Sequence, residues 1–184
     1  MSESNPSQAA IVTSLFIEAV RQGQASWFRV ASQSMLPLLR LGDEVYIQPA
    51  QAHEIGIGEI AAFETSAGLV IHRIVCTQQT TQTFRLLQMA DVELLPSWVK
   101  EQALVGRVVG IRRPAQGTGA LRETDLCHPI AKWWGMVTAH VRYRLYLCSR
   151  SNPLRMVLRG CSRFCIHFGA WCIRNCCTSA VAKK

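Results

Sequence analysis

Ser32-Gln33-Ser34-Met35-Leu36-Pro37, running on through Leu41-Gly42-Asp43-Glu44-Val45-Tyr46-Ile47, is the stretch on which the fold turns. Pro37 fixes its own φ and lacks an N–H, and it biases Leu36 toward extended backbone. A Gly-Asp turn and an alternating strand follow. A corner built this way holds a serine hydroxyl proud of a sheet. An alcohol needs an activating base before it attacks a carbonyl, so the rest of the chain has to supply one.

Leu69-Val70-Ile71-His72-Arg73-Ile74-Val75 reads as a buried strand interrupted by a histidine. An imidazole with an ordinary pKa of about 6.5 accepts a proton near neutral pH. Further short strands are expected at Trp27 to Val30, Val45 to Gln48, Ile60 to Phe63, Thr83 to Gln88 and Ala103 to Arg112. A hairpin turn falls at Thr65-Ser66-Ala67-Gly68. Short strands with frequent turn signals predict a mainly β body, a partly closed barrel or a sandwich. Ahead of it, Ile11, Val12, Leu15, Phe16, Ala19 and Val20 recur at helical spacing from Ser7 to Arg21, with Gly23 as the stop. That helix is expected to cover the core. Residues 1–8 read as disordered.

The motifs Ser34-Met35-x-Pro37, Gly42-Asp43-x-Val45, Gly58-Glu59-Ile60 with Phe63, and His72-Arg73-Ile74-Val75 follow one another in a fixed order, and Gly106-Arg107-Val108-Val109-Gly110-Ile111 closes the series. In that order and spacing the chain resembles the signal peptidase superfamily over residues 24 to 111. These serine peptidases also include the LexA-like autoproteases. The resemblance implies a signal peptidase/LexA-like partly closed β-barrel and a serine endopeptidase acting through an acyl-enzyme. By it Ser34 is the nucleophile, and the Ser32 hydroxyl with the Ser34 N–H forms the oxyanion site. Gln33 stands where a glycine is usual. His72 occupies the base position, which is lysine in bacterial signal peptidases and histidine in endoplasmic-reticulum and archaeal ones. The Ser/His type is therefore implied. Asp91, in Gln88-Met89-Ala90-Asp91, falls where a carboxylate orients the base, with Glu93 the nearest second acid and Ala90 in place of a glycine. An extended peptide or protein precursor, with small residues before the cut, is the implied substrate. The LexA-like autoprotease reading is disfavoured, since the roughly 25 residues ahead of the domain hold no helix-turn-helix region.

Asp43 is expected to shape its turn, His53 to lie in a loop, and Arg73 to be a solvated strand-edge charge. The expected organisation is an N-terminal tail and helix at 1–23, a β domain at 24–113, a linker at 114–120 and a basic helical tail at 121–184. Charge divides along the same line. Residues 1–111 carry 7 Lys/Arg and 10 Asp/Glu, whereas 112–184 carry 13 and 2, giving +8 in all. Such asymmetry points to an acidic partner. In the tail, Ile130, Trp133, Trp134, Val137, Val141 and Leu145 share a side. A second stripe includes Phe164, Phe168 and Trp171 beside an Arg155, Arg159, Arg163 row, the pattern of a helix lying in a lipid interface. An anionic membrane surface is the expected partner, with a cytoplasmic, peripheral location. Nucleic acid is disfavoured because the arginines are interleaved with apolar residues.

Seven of the 8 cysteines follow residue 126, without CxxC pairs. Cys161-x3-Cys165 and Cys172-x3-Cys176 read as reduced thiols on an apolar face, so no metal or cofactor is expected. No secretory signal and no run of about 18 apolar residues is visible. Oligomeric state stays open. A catalytically inactive scaffold with a membrane- or protein-binding tail is the alternative reading.

Overall fold

A computed structural model describes residues 6–81, 83–114, 120–149, 167–168, 170–171, 173 and 178–181. Helix α1 (Pro6–Arg21) opens the chain and is followed by β1 (Ser26–Arg29) and β2 (Glu44–Gln48). Then come β3 (Ile60–Thr65), β4 (Gly68–Gln79), β5 (Phe84–Met89), β6 (Ser97–Lys100), β7 (Leu104–Pro114) and β8 (Leu121–Asp125). Helix α2 (Pro129–Ser149) and a last short strand, β9 (Thr178–Val181), complete the described chain.

All the strand pairs are antiparallel, and the path runs β1-β2-β7-β3-β4-β5-β6. Among the described residues nothing joins β1 to β6, so the sheet is open and mainly antiparallel β with a helix at either end. Strand β7 organises it. One edge takes β2, and the other takes β3 at Leu104–Val108 and then β8 at Gly110–Pro114. Strand β8 in turn carries β9. Chain on both sides of 114–120 therefore shares one sheet. Bulges at Tyr46/Ile47, Ala62/Phe63 and Ile74/Cys76 interrupt the ladders, and such insertions bend strands and sharpen their twist.

The largest core cluster joins Ile17 and Val20 of α1, Val45 and Ile47 of β2, Val108 and Ile111 of β7, and Met35, Leu38 and Leu39 of the serine corner. A second surrounds Phe63, Ile74 and Leu86. Each side chain of this size, fully buried, contributes about 1.5–3 kcal/mol. A third, Val75, Leu87 and Met89, is closed by Ala139 of α2.

The two helices depart from their sequence readings. Helix α1 starts at Pro6, so residues 6–8, expected to be disordered, are helical. Its Ile11, Val12 and Leu15 are exposed, while Ile17 and Val20 are buried. In α2 the buried face is Ala131, Thr138, Ala139, Arg142 and Leu145, whereas Ile130, Trp133 and Met136 face out. The cause is backbone proximity. Gly135 crosses Gly58, and a Cβ on Gly135 would lie 2.6 Å from the Gly58 carbonyl oxygen. A helix seated that closely needs small residues on its contact face, so its bulky residues point elsewhere.

Candidate active site

A carboxylate fixes the serine corner from beneath. Asp43, buried as its turn role requires, accepts the Arg40 N–H at 2.8 Å and is gripped through both oxygens by Arg113. The second Arg113 contact continues to the Leu38 carbonyl at 3.2 Å. Val30 donates to the Asp43 carbonyl at 2.8 Å and Gly42 to Val30 at 2.9 Å. Gly42 has φ +87°, a conformation that glycine adopts without a steric penalty. The Leu36–Pro37 peptide is cis. Above this base the Ser32 and Ser34 hydroxyl oxygens stand 3.3 Å apart.

Ser34 opens onto a groove of about 560 Å³. Its walls include Ala10, Thr13 and Ile17 of α1, Phe28 of β1, Met35 and Leu39 of the corner, and Leu69 and Ile71 of β4. Strand β4 pairs with β3 from Gly68 to Arg73, but with β5 only from Arg73 onward. Among the described residues, the second edge of Gly68–His72 is therefore unpaired beside the groove.

His72 is on this edge, one residue past Ile71 and so on the opposite face of the pleat. It pairs in register with Ala61, which is fully buried. Its Nδ1–H donates to the Gln88 amide oxygen at 3.0 Å, and the Gln88 Nε2 donates to the Ser97 hydroxyl at 3.5 Å. Burial holds the imidazole below its usual 6.5, partly offset by the Gln88 bond and then by the charges of Asp91 and Glu93.

Asp91, expected at the imidazole, is engaged elsewhere. Both of its oxygens accept from Arg73, from Nε at 3.0 Å and Nη2 at 2.7 Å. Arg73, expected to be solvated, is only 4% exposed, and its Nη1 donates to the Gly58 carbonyl at 2.9 Å. Arg142 of α2 caps the same loop, donating to the carbonyls of Ala90 (2.6 Å) and Glu93. Burial lowers the Arg142 pKa, an effect countered by Asp91.

Segment 88–93 thus reaches both candidate catalytic residues. Gln88 holds His72, and the Val92 N–H donates to the Ser34 carbonyl at 3.1 Å. The hydrogen bond of the Ser34 hydroxyl goes to Ser32; none joins it to His72 among the described residues, and none reaches His72 Nε2. The sequence named Ser32, Ser34, His72 and Asp91, but not Gln88. Gln88 pairs in register with Ile74, two residues past His72 on the same face of β4, and such a diagonal neighbour becomes visible only once strand register is known.

Of the residues expected to face a membrane, Trp133, Phe168 and Trp171 are exposed, while Trp134 packs against the largest core cluster. Their rings form a chain, with centroids 4.9 Å apart for Trp133–Trp134, 5.4 Å for Trp134–Phe168 and 6.1 Å for Phe168–Trp171. Arg155, Arg159, Arg163 and Phe164, and the paired cysteines of the tail, lie outside the described residues. Cys76 and Cys127 are free thiols. Among the described residues no cluster of His, Cys, Asp and Glu could hold a metal ion, and no helix is long and apolar enough to cross a membrane. No family model matches this chain, and no curated protein matches it.

Proposed function

We propose that the protein is a serine endopeptidase resembling signal peptidases, in which Ser34 attacks a peptide carbonyl after His72 takes its proton. The observation that carries the reading is segment 88–93, which bonds Ser34 at one end and His72 at the other, while Ser34 itself lines a groove beside the unpaired edge of β4. An extended peptide added to that edge would gain main-chain hydrogen bonds and lay alternate side chains into the groove. The Ser34 hydroxyl must turn from Ser32 toward Nε2 for transfer, and catalytic hydrogen bonds are often long until substrate binds. Its proton then passes to His72, the Ser34 oxygen bonds the carbonyl carbon, and the C–N bond breaks as that proton goes to the leaving amine. Water afterwards releases the acyl group.

A fluorophosphonate probe, which phosphonylates activated serines, tests the assignment. Wild type should be labelled at Ser34, Ser34→Ala should not, and His72→Ala should react at least about a hundredfold more slowly, within the usual range for losing a general base. Unlabelled wild type, or equal labelling of His72→Ala, overturns the pairing.

A second reading, an inactive scaffold that docks on membranes, draws on the Ser34–Ser32 contact and the exposed ring chain. It predicts vesicle binding with no probe labelling. The peptidase reading accommodates the same docking: it places the enzyme on the cytoplasmic membrane surface, acting on a peptide or protein precursor.

A further inference from the structure

We propose that Gln88 is the positioning residue of this site, setting the tautomer and orientation of His72 where a Ser/His peptidase would use a carboxylate. The proposal rests on the peptidase reading of Ser34 and His72.

The argument begins with exclusion. A base that accepts the serine proton on Nε2 must carry its own proton on Nδ1, so something has to accept from Nδ1. Asp91 does not, since its hydrogen bonds are with Arg73 and none is with His72. Glu93 acts on His72 through charge and forms no hydrogen bond with it. The group on Nδ1 is the Gln88 amide oxygen. Gln88 is buried on β5 between Leu87 and Met89, so its side chain has little freedom to leave. Its NH2 points to the Ser97 hydroxyl on β6, which leaves the oxygen for the ring. The charged groups around this contact are Asp91 and Glu93 on the following loop, Arg73 beside His72 on β4, and Arg142 on α2.

A neutral partner differs from an acid in one respect. The amide orients the ring as a carboxylate would, but it supplies no full negative charge to the imidazolium that forms on proton transfer. Gln88→Glu adds that charge at the same atom, and an opposite charge this close raises an imidazole pKa by about 1–3 units. Gln88→Leu removes the acceptor and leaves an apolar side chain of similar size in a buried site.

The test has two readouts. In Ser34→Ala, long-range ¹H–¹⁵N NMR reads the His72 tautomer without any need for activity. Nδ1–H is expected, with a shift toward Nε2–H when Gln88→Leu is added. In protein that retains Ser34, the acid limb of fluorophosphonate labelling should move up by at least about one pH unit in Gln88→Glu. Gln88→Leu should label at least about a hundredfold more slowly at every pH, the scale on which a misoriented base costs rate. Either an Nε2–H tautomer with Gln88 intact, or labelling profiles that neither variant changes, overturns the Gln88 assignment while leaving the peptidase reading standing. Unlabelled wild type overturns the peptidase reading, and the catalytic role of Gln88 falls with it.

Discussion

Arg73 and Asp91 show how far single residues can be read from the chain. The family resemblance implies Asp91 at the base, and a charge on a strand invites a solvated reading of Arg73. Burial at 3–4% exposure makes them partners instead. A buried ion separated from its partner keeps its desolvation cost, and breaking such a pair by removing one side costs about 3–5 kcal/mol. Asp91→Ala should therefore lower Tm by roughly 10 °C in a chain of this size. Arg73→Met with Asp91→Leu should recover much of that loss. Were Asp91 only an orienter of His72, its removal would slow labelling and leave the melting curve in place. Ser34 and His72 were open to nomination as candidates because each interrupts a pattern, a corner in one case and an apolar strand in the other. Gln88 was not, since its role exists only across a strand pair.

His72 also couples the site to pH. Burial lowers its folded pKa below the 6.5 of the unfolded chain. Between those two values the unfolded state binds a proton that the folded state does not, so stability falls as pH drops through 6.5 and is retained above it. The neutral base persists over the same interval. Labelling of Ser34 should decline at acid pH with a midpoint below 6.5, matched by the His72 NMR titration. A midpoint above 6.5 in both measurements would contradict the burial argument.

At the scale of elements, strands with apolar alternation were recovered to within a residue or two, β2 and β5 among them. Strands β6 and β8 were not foreseen, because Ser97–Lys100 and Leu121–Asp125 are largely exposed or polar and lack a two-residue apolar repeat. Helix α2 is legible, but the residues that share its apolar side divide, with Ile130 and Trp133 exposed and Leu145 buried, because a close backbone crossing seats Gly135 and Ala139 against the body. That crossing yields a prediction. Gly135→Ala pushes a methyl against Gly58, with Arg73 Nη1 only 3.3 Å away, and overpacking of this sort costs about 1–3 kcal/mol. Two turns further on, Arg142 would lose its purchase on Ala90 and Glu93. Both Tm and Ser34 labelling should therefore drop in Gly135→Ala, whereas Met136→Ala, on the exposed side of the same turn, should change Tm by under about 1 °C.

At the scale of the molecule, the proposed membrane attachment draws on exposed apolar rings and on the charge of the tail sequence. Trp133, Phe168 and Trp171 are 45–55% exposed in one chain of rings, and Ile11, Val12 and Leu15 stand open on the helix that walls the groove. Exposed aromatic groups sit favourably at the headgroup level, and each basic residue near an anionic surface adds about 1 kcal/mol, attenuated by salt. The positive excess of residues 112–184 lies in the same part of the sequence as the rings. The protein should co-sediment with vesicles containing phosphatidylglycerol, bind pure phosphatidylcholine more weakly, and release from the anionic vesicles as salt rises. Combining Trp133→Ala, Phe168→Ala and Trp171→Ala should weaken anionic-vesicle binding about tenfold or more while salt release persists, because the substitutions remove insertion and leave charge. Trp134 is left out because it packs in the core, where truncation would test folding instead. If the triple variant binds as wild type does, the rings serve something other than lipid, and charge alone accounts for the attachment.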